Sequence, residues 1–444
     1  MAFHTLGCKL NYAETAALSN QFIERGFRVV EFGEPTDVFV LNTCTVTERA
    51  DRECRQLVRR ALRISPASCT IVVGCYAQLQ AEEIAAIEGV DFVLGSREKF
   101  NLFEYVEGFQ KQSSARVVRG LIHESTDFGP AFSSGSADRT RAFLKVQDGC
   151  DYHCSFCTIP LARGASRSQS VEATLEQARE LVNRGYREIV LTGVNVGDYG
   201  RKIGTDLMCL LKQLDAVEAL NRVRISSIEP NLVTQEMIRF ISQSEKICHH
   251  FHIPLQSGSD FILRLMRRRY LTQYYRDLVY AIREEMPDAG IGADVIVGFP
   301  GETKSHFEET HRFLVDLPLS YLHVFTYSER PNTFAAALSG DVDPATRARR
   351  SEMLRVLSGK KRRQFLEAFV GRTVSVLLEG TVERGRRIGH TSHYALVGIP
   401  EHSAQENELV DVRITGVDDL LCVGFADEEV CTGLPDKSFV EEAA

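Results

Sequence analysis

Three closely spaced cysteines, Cys150, Cys154 and Cys157, form a C-x3-C-x2-C group in the segment GCDYHCSFCTIP. The group directly follows a predicted strand, AFLKVQDG (142–149), and so lies at the carboxyl end of that strand, where parallel sheets bind ligands. Three thiolates on a short loop can hold three irons of a cubane and leave the fourth iron open. A structural zinc site would need a fourth protein ligand, and His153, inside the loop, is poorly placed to supply one. The group therefore predicts an iron–sulfur cluster whose open iron can bind a small chelating molecule.

A second group of three cysteines, Cys8, Cys44 and Cys75, is spread over the first part of the chain in HTLGCKLN, VLNTCTVT and VVGCYAQ. Each of them stands between a predicted strand and a predicted helix. Parallel strands would bring the three loops to one edge of a sheet, where three thiolates suit a second cluster with an open iron. The alternative is that these are buried cysteines that pack as small apolar residues. Packing is also the expected role of the other six cysteines, which are Cys54, Cys69, Cys209, Cys248, Cys422 and Cys431.

The spacing of apolar segments predicts an α/β chain that is divided into several parts. Residues 1–110 alternate short apolar strands, such as DVFVLN (37–42) and CTIVVG (69–74), with helical stretches, which predicts an open parallel sheet. Residues 111–138 are richer in Ser, Gly and other polar residues and are expected to form a linker, with one short strand at 115–118.

The rest of the chain predicts two further units. Residues 139–369 resume the α/β alternation, which favours a partial (β/α)6 barrel of parallel strands. Residues 370–433 contain short β-branched runs broken by Gly and Pro, GRTVSVLLEGTV, HYALVGIP, ELVDVRITGV and LLCVGFA, which predict a small β-barrel. The six strand candidates of the middle unit are 142–149, 187–194, 222–228, 249–255, 290–298 and 321–327.

Charge and hydropathy limit the location and the partners of the chain. The formal net charge of −8 argues against nucleic acid as a partner, but binding depends on local patches. The basic segment 345–373 and the cluster Arg267–Arg269 are candidates for phosphate contacts, and the alternative is a solvated helix face. The start of the chain lacks the features of a secretory signal, and no stretch approaches the roughly 20 apolar residues that span a bilayer. We therefore expect a cytoplasmic protein without a membrane segment.

The cysteine segments resemble those of one enzyme family. GCKLN, NTCTVT and VGCYAQ, followed by GCDYHCSFCTIPLARG, resemble the motifs of the methylthiotransferases, which are radical S-adenosylmethionine (SAM) enzymes. Further segments extend this resemblance over nearly the whole chain, and the tail resembles a TRAM domain, a small β-barrel associated with RNA binding. GCKLN, TGVNVGDYG, RISSIEP and YSERP are most similar to the branch of the family that modifies threonylcarbamoyladenosine in tRNA.

This resemblance implies a reaction and its cofactors. A methylthio group would be added to C2 of N6-threonylcarbamoyladenosine at position 37, in the anticodon loop of tRNA. A reductant such as a flavodoxin or a ferredoxin would supply electrons, and we expect the protein to act as a monomer. The resemblance implies two 4Fe–4S clusters, one that cleaves SAM, held by Cys150, Cys154 and Cys157, and an auxiliary one that carries the sulfur, held by Cys8, Cys44 and Cys75.

Further contacts with SAM are expected from residues near the cluster loop and at the carboxyl ends of later strands. Phe156 can pack near the adenine, Gly193 would let the backbone approach closely, and polar residues could bind the ribose or the carboxylate. Ordinary hydrogen bonding within loops is the alternative for the polar residues. The predicted SAM-binding residues are Phe156, Gly193, Asn195, Glu229, Gln256 and Ser257.

Three other functions remain open at this point. The substrate could be isopentenyladenosine at the same tRNA position or an aspartate of a ribosomal protein, and the basic segment 345–373 favours RNA over a protein side chain. The chain could also be a non-catalytic tRNA-binding protein, but structural clusters are usually fully ligated, whereas both triplets leave an iron open. The histidines of HHFH (249–252) are expected to be structural and not to bind a metal.

Overall fold

The computed structural model describes residues 1–45, 47–122, 128–132 and 140–427. Cys431, parts of the predicted linker (123–127 and 133–138) and the end of the predicted C-terminal barrel (428–433) lie outside the described residues. Within the described part of the chain, no helix has both the length and the apolar character needed to cross a membrane.

The amino-terminal part is a five-stranded parallel sheet whose strands lie side by side in chain order. Its elements are β1 (Ala2–Thr5), α1 (Lys9–Glu24), β2 (Val38–Thr43), α2 (Glu48–Ile64), β3 (Cys69–Gly74), α3 (Cys75–Leu79), α4 (Ala81–Ala85), β4 (Phe92–Leu94), α5 (Leu102–Tyr105) and β5 (Arg116–Val118). β2 and β3 are buried at every residue because apolar clusters cover both faces of the sheet, which explains their uninterrupted apolar sequences. β5 pairs with β4, so the sheet continues beyond residue 110 to Val118. Arg116 and Val117 are exposed on this edge strand, which gives it the composition of a linker.

The central part contains six parallel strands in chain order. Its elements are β6 (Arg141–Lys145), β7 (Gln147–Asp148), α6 (Ile159–Arg163), β8 (Arg167–Ser168), α7 (Val171–Asn183), β9 (Glu188–Thr192), α8 (Leu207–Asp215), β10 (Arg222–Ile225), α9 (Gln235–Gln243), β11 (His250–His252), α10 (Asp260–Leu265), α11 (Thr272–Glu285), β12 (Gly290–Val297), α12 (Lys304–Asp316) and β13 (Tyr321–Thr326). β6, β9 and β10 form one parallel sheet, and β11, β12 and β13 form another. A parallel bridge between Ser227 and His252 joins the two sheets. The predicted α/β architecture with an incomplete (β/α)6 barrel is confirmed, and all six predicted strands are present.

The C-terminal part begins with a long helix, α13 (Pro344–Glu367), and continues as a closed five-stranded barrel. The barrel strands are β14 (Thr373–Glu383), β15 (Arg386–Thr391), β16 (Leu396–Pro400), β17 (Leu409–Asp418) and β18 (Leu421–Ala426). Four of them match predicted runs, whereas β15 was not expected, because its sequence RRIGHT starts with two charged residues and contains a glycine. That glycine, Gly389, is required by the closed barrel, since a Cβ there would lie 2.4 Å from the carbonyl oxygen of Leu377.

Two buried arginines of β10 attach this barrel to the amino ends of the central strands. Arg222 donates to the Ser375 carbonyl at 2.8 Å, and Arg224 donates to the Thr391 carbonyl at 3.0 Å. Arg224 also pairs with Glu188 at 2.7 Å. Burial by itself would raise the pKa of Glu188, but Arg224 lowers it to about 2, so the pair is charged. Charged donors of the central part therefore fix the C-terminal barrel in place.

Candidate active site

The first cysteine triplet lies where the sequence placed it, in the loop between β7 and α6. Each sulfur accepts one N–H donor. The backbone N–H of Tyr152 lies 3.4 Å from Cys150 Sγ and that of Ile159 lies 3.5 Å from Cys157 Sγ. For Cys154 the donor is the guanidinium of Arg268, at 3.1 Å. Donors of this kind favour thiolate sulfur and are among the groups that tune iron–sulfur clusters.

The thiols of this loop suit metal ligation. Burial raises the pKa of Cys150 and of Cys157 to about 12, so the free thiols would stay protonated at neutral pH. A bound metal reverses that preference, because coordination deprotonates a thiol. Among the described residues, the groups of three His, Cys, Asp or Glu ligand atoms within 4.8 Å of one another include neither cysteine triplet. Sulfurs on one tetrahedral zinc would lie only about 3.8 Å apart, given Zn–S bonds of about 2.3 Å. The three sulfurs of each triplet are therefore not arranged for one zinc ion.

The second cysteine triplet lies at the carboxyl edge of the amino-terminal sheet, with each cysteine directly after a strand or at the start of a helix. Cys8 is the residue just before the first turn of α1, and Cys75 is the first residue of α3. Gly7 has a φ of +111°, and a Cβ at this position would lie 2.7 Å from Cys44 Cβ, so only glycine lets the loop before Cys8 pack against Cys44. The structure therefore brings the loops of the triplet together, as the repeated strand–cysteine–helix pattern predicted.

One buried arginine connects the two triplets. Arg163, at the end of α6, is 2% exposed, and its Nε donates to Cys75 Sγ at 3.2 Å. Its other nitrogens contact Glu14 and Asn11 of α1, at 2.9 Å and 2.6 Å, and Asp148 of β7 at 3.0 Å. Asp148 stands two residues before the first triplet. The guanidinium of Arg163 therefore links Asp148, next to the loop of the first triplet, to Cys75 of the second triplet.

This arginine belongs to a fully buried group of charges, which we call the ion cluster: Arg163, Glu14, Asp148, Lys99 and Lys145. Lys99 and Lys145 contact Glu14 at 2.5 Å and 3.2 Å, and Lys145 also contacts Asp148 at 2.8 Å. Burial by itself would raise the pKa of Glu14, but the three cations hold it well below its usual range. Three cations of the ion cluster, and Arg167 at 3.4 Å from Asp148 as a fourth, thus face two carboxylates beside the second triplet. An anionic group such as a thiolate-bound cluster would balance the excess positive charge.

Sequence reasoning missed the ion cluster. Lys145 stands in the apolar strand segment AFLKV and Asp148 directly before the first cysteine loop, and a charge in such a setting signals either a buried pair or a ligand. Their partners, Glu14 and Lys99, lie far away in sequence, so only the folded structure shows which of the two applies.

A cavity of about 200 Å³ adjoins the first triplet. Two predicted SAM-binding residues, Phe156 and Gln256, line it together with Cys157. Thr47, from the amino-terminal part, lines it as well, so the cavity lies between the two parts. The side-chain oxygen of Gln256 is buried and has no hydrogen-bond partner among the described residues. Such an unpaired buried polar atom fits a site for a polar small molecule.

The other predicted SAM-binding residues have different surroundings. Asn195 is 3% exposed, and neither polar atom of its side chain has a partner among the described residues, which also fits a ligand site. Glu229 pairs with Arg268 beside Cys154.

Gly193 and Ser257 make packing contacts with the protein itself. A Cβ at Gly193 would lie 2.8 Å from the side chain of Gln147, so it is this side chain that packs closely against the Gly193 backbone. The hydroxyl of Ser257 is fully buried and lies 3.2 Å from that of Thr310 on α12.

In the basic cluster Arg267–Arg269, the central residue is not placed to contact phosphate as expected. The side chain of Arg268 is 3% exposed and lies against Glu229 and Cys154, so it belongs to the first triplet. Arg267 and Arg269 are exposed and stack on the rings of Phe334 and Tyr152. Whether an arginine faces solvent or a buried thiol depends on packing that the local sequence does not reveal.

Two histidines of HHFH, His250 and His252, face groups of β12 and β13, whereas His249 Nε2 lies 3.2 Å from the Ile241 carbonyl oxygen of α9. His252 Nε2 lies 2.9 Å from Asp294 Oδ1, and His250 Nε2 lies 2.8 Å from the hydroxyl of Tyr321. His323 Nδ1 is 3.4 Å from the same oxygen of Asp294. The ligand atoms of His252, Asp294 and His323 lie within 4.8 Å of one another, so the structural role expected for the HHFH histidines stays a prediction.

Comparisons with known proteins agree with this geometry. Residues 1–95 match the Uncharacterized protein family UPF0004, and residues 144–314 match the Radical SAM superfamily. A threonylcarbamoyladenosine tRNA methylthiotransferase, MtaB, of Bacillus subtilis (strain 168) is 39% identical over 93% of each chain. A tRNA-2-methylthio-N(6)-dimethylallyladenosine synthase of Syntrophus aciditrophicus (strain SB) is 30% identical over 88% of this chain and 87% of its own. The fold is similar to that of the radical S-adenosylmethionine methyltransferase TsrM from Kitasatospora setae, with a TM-score of 0.52, 13% identity and 76% of each chain covered.

The ion cluster leads to a prediction about stability. Replacing Glu14 with Gln leaves Arg163, Lys99 and Lys145 without their shared carboxylate, so the free energy of unfolding at pH 7 should fall by about 3–5 kcal/mol. The pKa of Glu14 is lowered in the folded protein, so its contribution is complete above the unfolded pKa of about 4.3 and is lost as the pH falls towards the folded pKa. Denaturant unfolding of both proteins between pH 3 and 7 should therefore show a stability difference that shrinks below about pH 4.

The control is Glu180→Gln, which breaks an exposed pair with Arg184 and should cost no more than about 1 kcal/mol. Equal stability of the parent protein and Glu14→Gln at pH 7 would contradict the assignment of a charged, structurally required Glu14.

Proposed function

Because this chain belongs to the methylthiotransferase family of radical SAM enzymes, we propose that it adds a methylthio group to C2 of N6-threonylcarbamoyladenosine at position 37 of tRNA. Relatives named for threonylcarbamoyladenosine are 32–39% identical to it, and those named for dimethylallyladenosine are 30–33% identical. The observation that carries the proposal is the contact of Arg163 with Cys75 of the second triplet and with Asp148, two residues before the first triplet. The second candidate is methylthiolation of isopentenyladenosine, which is another name for dimethylallyladenosine, because relatives named for that reaction are 30–33% identical to this chain.

Each triplet would hold one 4Fe–4S cluster, and SAM would bind at the first. When bound, these groups supply radical chemistry at an unactivated C–H bond and the sulfur to be inserted. The chain itself holds the ligand thiols in place with N–H donors, from two backbone amides and Arg268 at the first triplet and from Arg163 at the second. The unpaired polar atoms of Asn195 and Gln256 would bind SAM, and Phe156 would pack near it.

Several features of the enzyme in the cell follow from this function. It would work in the cytoplasm, as a monomer, and would receive electrons from a reductant such as a flavodoxin or a ferredoxin. The methylthiotransferase amino-terminal domain would extend past the predicted boundary at residue 110 to include β5, and the linker would follow Val118. Residues 139–369 would act as a radical SAM domain and residues 370–433 as a TRAM-like domain.

The proposal can be tested by replacing the cysteines of each triplet separately. Anaerobically reconstituted protein should contain about eight irons, and replacing either triplet with Ala should leave about four. Loss of Cys150, Cys154 and Cys157 should abolish 5′-deoxyadenosine formation. Loss of Cys8, Cys44 and Cys75 should leave 5′-deoxyadenosine formation intact and abolish methylthiolation, because formation of the radical would require only the cluster at the first triplet, whereas a second SAM molecule would methylate the sulfur held at the second triplet.

The measurements are iron analysis, chromatography of 5′-deoxyadenosine and nucleoside mass spectrometry of tRNA that carries threonylcarbamoyladenosine. Cys209→Ala is the matched control, since this cysteine lies outside both triplets. Full methylthiolation by the variant without Cys8, Cys44 and Cys75 would refute the role of the second triplet.

The tRNA surface is proposed on α13, which contains most of the basic segment 345–373. Two of its basic residues are structural. Arg350 is buried and pairs with Glu302 at 2.5 Å, and Lys361 donates to the Leu317 carbonyl at 2.7 Å, just after the end of α12. Arg349, Arg355 and Lys360 are exposed and remain candidates for phosphate contacts.

These assignments give a prediction for tRNA binding. Replacing Arg349, Arg355 and Lys360 with Ser should weaken tRNA binding and lower its salt dependence by about one unit of slope for each phosphate that is no longer neutralised. The measurement is a tRNA titration at several salt concentrations. The matched control replaces exposed basic residues of α7, α8 and α9, namely Arg184, Lys212 and Arg239, with Ser. An unchanged affinity and slope in the α13 variant would show that α13 is merely a solvated helix face.

A further inference from the structure

Lys9 directly follows Cys8 of the second triplet, and its ammonium lies near a turn of the C-terminal barrel. α1, which begins with Lys9, packs against β6, at the edge of the central sheet. The ammonium of Lys9 lies 5.7 Å from the centre of the ring of Tyr394, which stands in the turn between β15 and β16. Lys9 thus reaches from the second triplet into the space between α1, the amino ends of the central strands and that turn.

The other cations around this space have carboxylate partners. Arg141 lies 3.1 Å from Glu379, and Arg224 lies 2.7 Å from Glu188. Both guanidinium groups also lie within 6 Å of the Tyr394 ring. Among the described residues, Lys9 has neither a carboxylate at ion-pair distance nor a hydrogen-bond acceptor, and the Glu188 carboxylate attracts its charge only from a distance.

The charges around this space act on two neighbouring titratable residues. Burial by itself would raise the pKa of Tyr394, yet Lys9, Arg141 and Arg224 together lower it. The cations act in the same direction at His250, whose pKa is lowered by burial and is lowered further by Arg224 and Lys9. Both residues therefore experience a positive potential, which favours the binding of an anion.

We propose that Lys9 binds the carboxylate of the threonyl group of the substrate nucleoside. The inference rests on the proposed function, because a base that receives sulfur held at Cys8 must come close to the residue that follows it. Threonylcarbamoyladenosine carries a carboxylate on its N6 substituent, whereas the dimethylallyl substituent is uncharged and would leave the ammonium unpaired. An unpaired buried charge is costly, so Lys9 also acts against the uncharged substrate.

A phosphate of the tRNA backbone would offer Lys9 the same anionic chemistry, so the test must separate the two sources. The substrates are a short anticodon hairpin with threonylcarbamoyladenosine at position 37 and the same hairpin with its threonyl carboxylate converted to a methyl amide. The proteins are the cluster-loaded parent, Lys9→Met, Lys9→Arg, and the control Lys212→Met on the exposed face of α8. Hairpin affinity without reductant and kcat/KM for methylthiolation are both measured, with iron content determined for each protein.

We expect the parent protein and Lys212→Met to prefer the carboxylate hairpin by roughly 10- to 100-fold, the value of one charge-assisted hydrogen bond. Lys9→Met should bind both hairpins as weakly as the parent binds the amide, and Lys9→Arg should recover part of the preference. If Lys9→Met keeps the full preference for the carboxylate, or weakens both hairpins equally, Lys9 contacts a phosphate or nothing, and the inference fails. A parent protein that binds with this preference but does not methylthiolate the hairpin would instead refute the proposed function.

Discussion

The structure depends on one buried contact, the guanidinium of Arg163 among Glu14, Asp148 and Cys75. Removing these charges from water is costly, and the ion cluster is stable only because each carboxylate meets several cations at hydrogen-bond distance. Such an arrangement tolerates little displacement. It therefore fixes the amino-terminal sheet against the central barrel in one orientation, with a loop of each cysteine triplet on either side.

The same contact explains why the two parts need each other. The second triplet stands at the edge of a sheet that has its own apolar cores, but part of its electrostatic environment comes from Arg163 and Lys145 of the central part. The first triplet in turn adjoins a cavity that Thr47 of the amino-terminal part helps to close. Neither site is complete in one part alone, which suits a reaction that must bring a radical and a sulfur donor to the same carbon.

The α/β fold and the six motif cysteines could be predicted because they depend on local signals. Parallel strands read as apolar runs, Cys44 and Cys75 directly follow such runs, and Cys8 and the loop that starts at Cys150 stand two or three residues after a strand. The edge strand β5 and the barrel strand β15 were harder, because Arg116 and the RR of RRIGHT resemble loop sequence when their partners are unknown. The roles of basic residues could not be predicted at all. Arg268 and Lys361 stand in charged runs that suggest an RNA surface, yet one contacts Cys154 and the other the carbonyls that follow α12.

The central claim is that the two cysteine triplets hold two clusters next to each other across Arg163. Electron paramagnetic resonance of reconstituted protein with both clusters reduced tests it most directly, because nearby paramagnetic centres split and broaden each other's signals. The account predicts a magnetic interaction that disappears when Cys8, Cys44 and Cys75 are replaced with Ala, leaving the signal of one isolated cluster. A spectrum of the intact protein that equals the sum of two isolated clusters would contradict it.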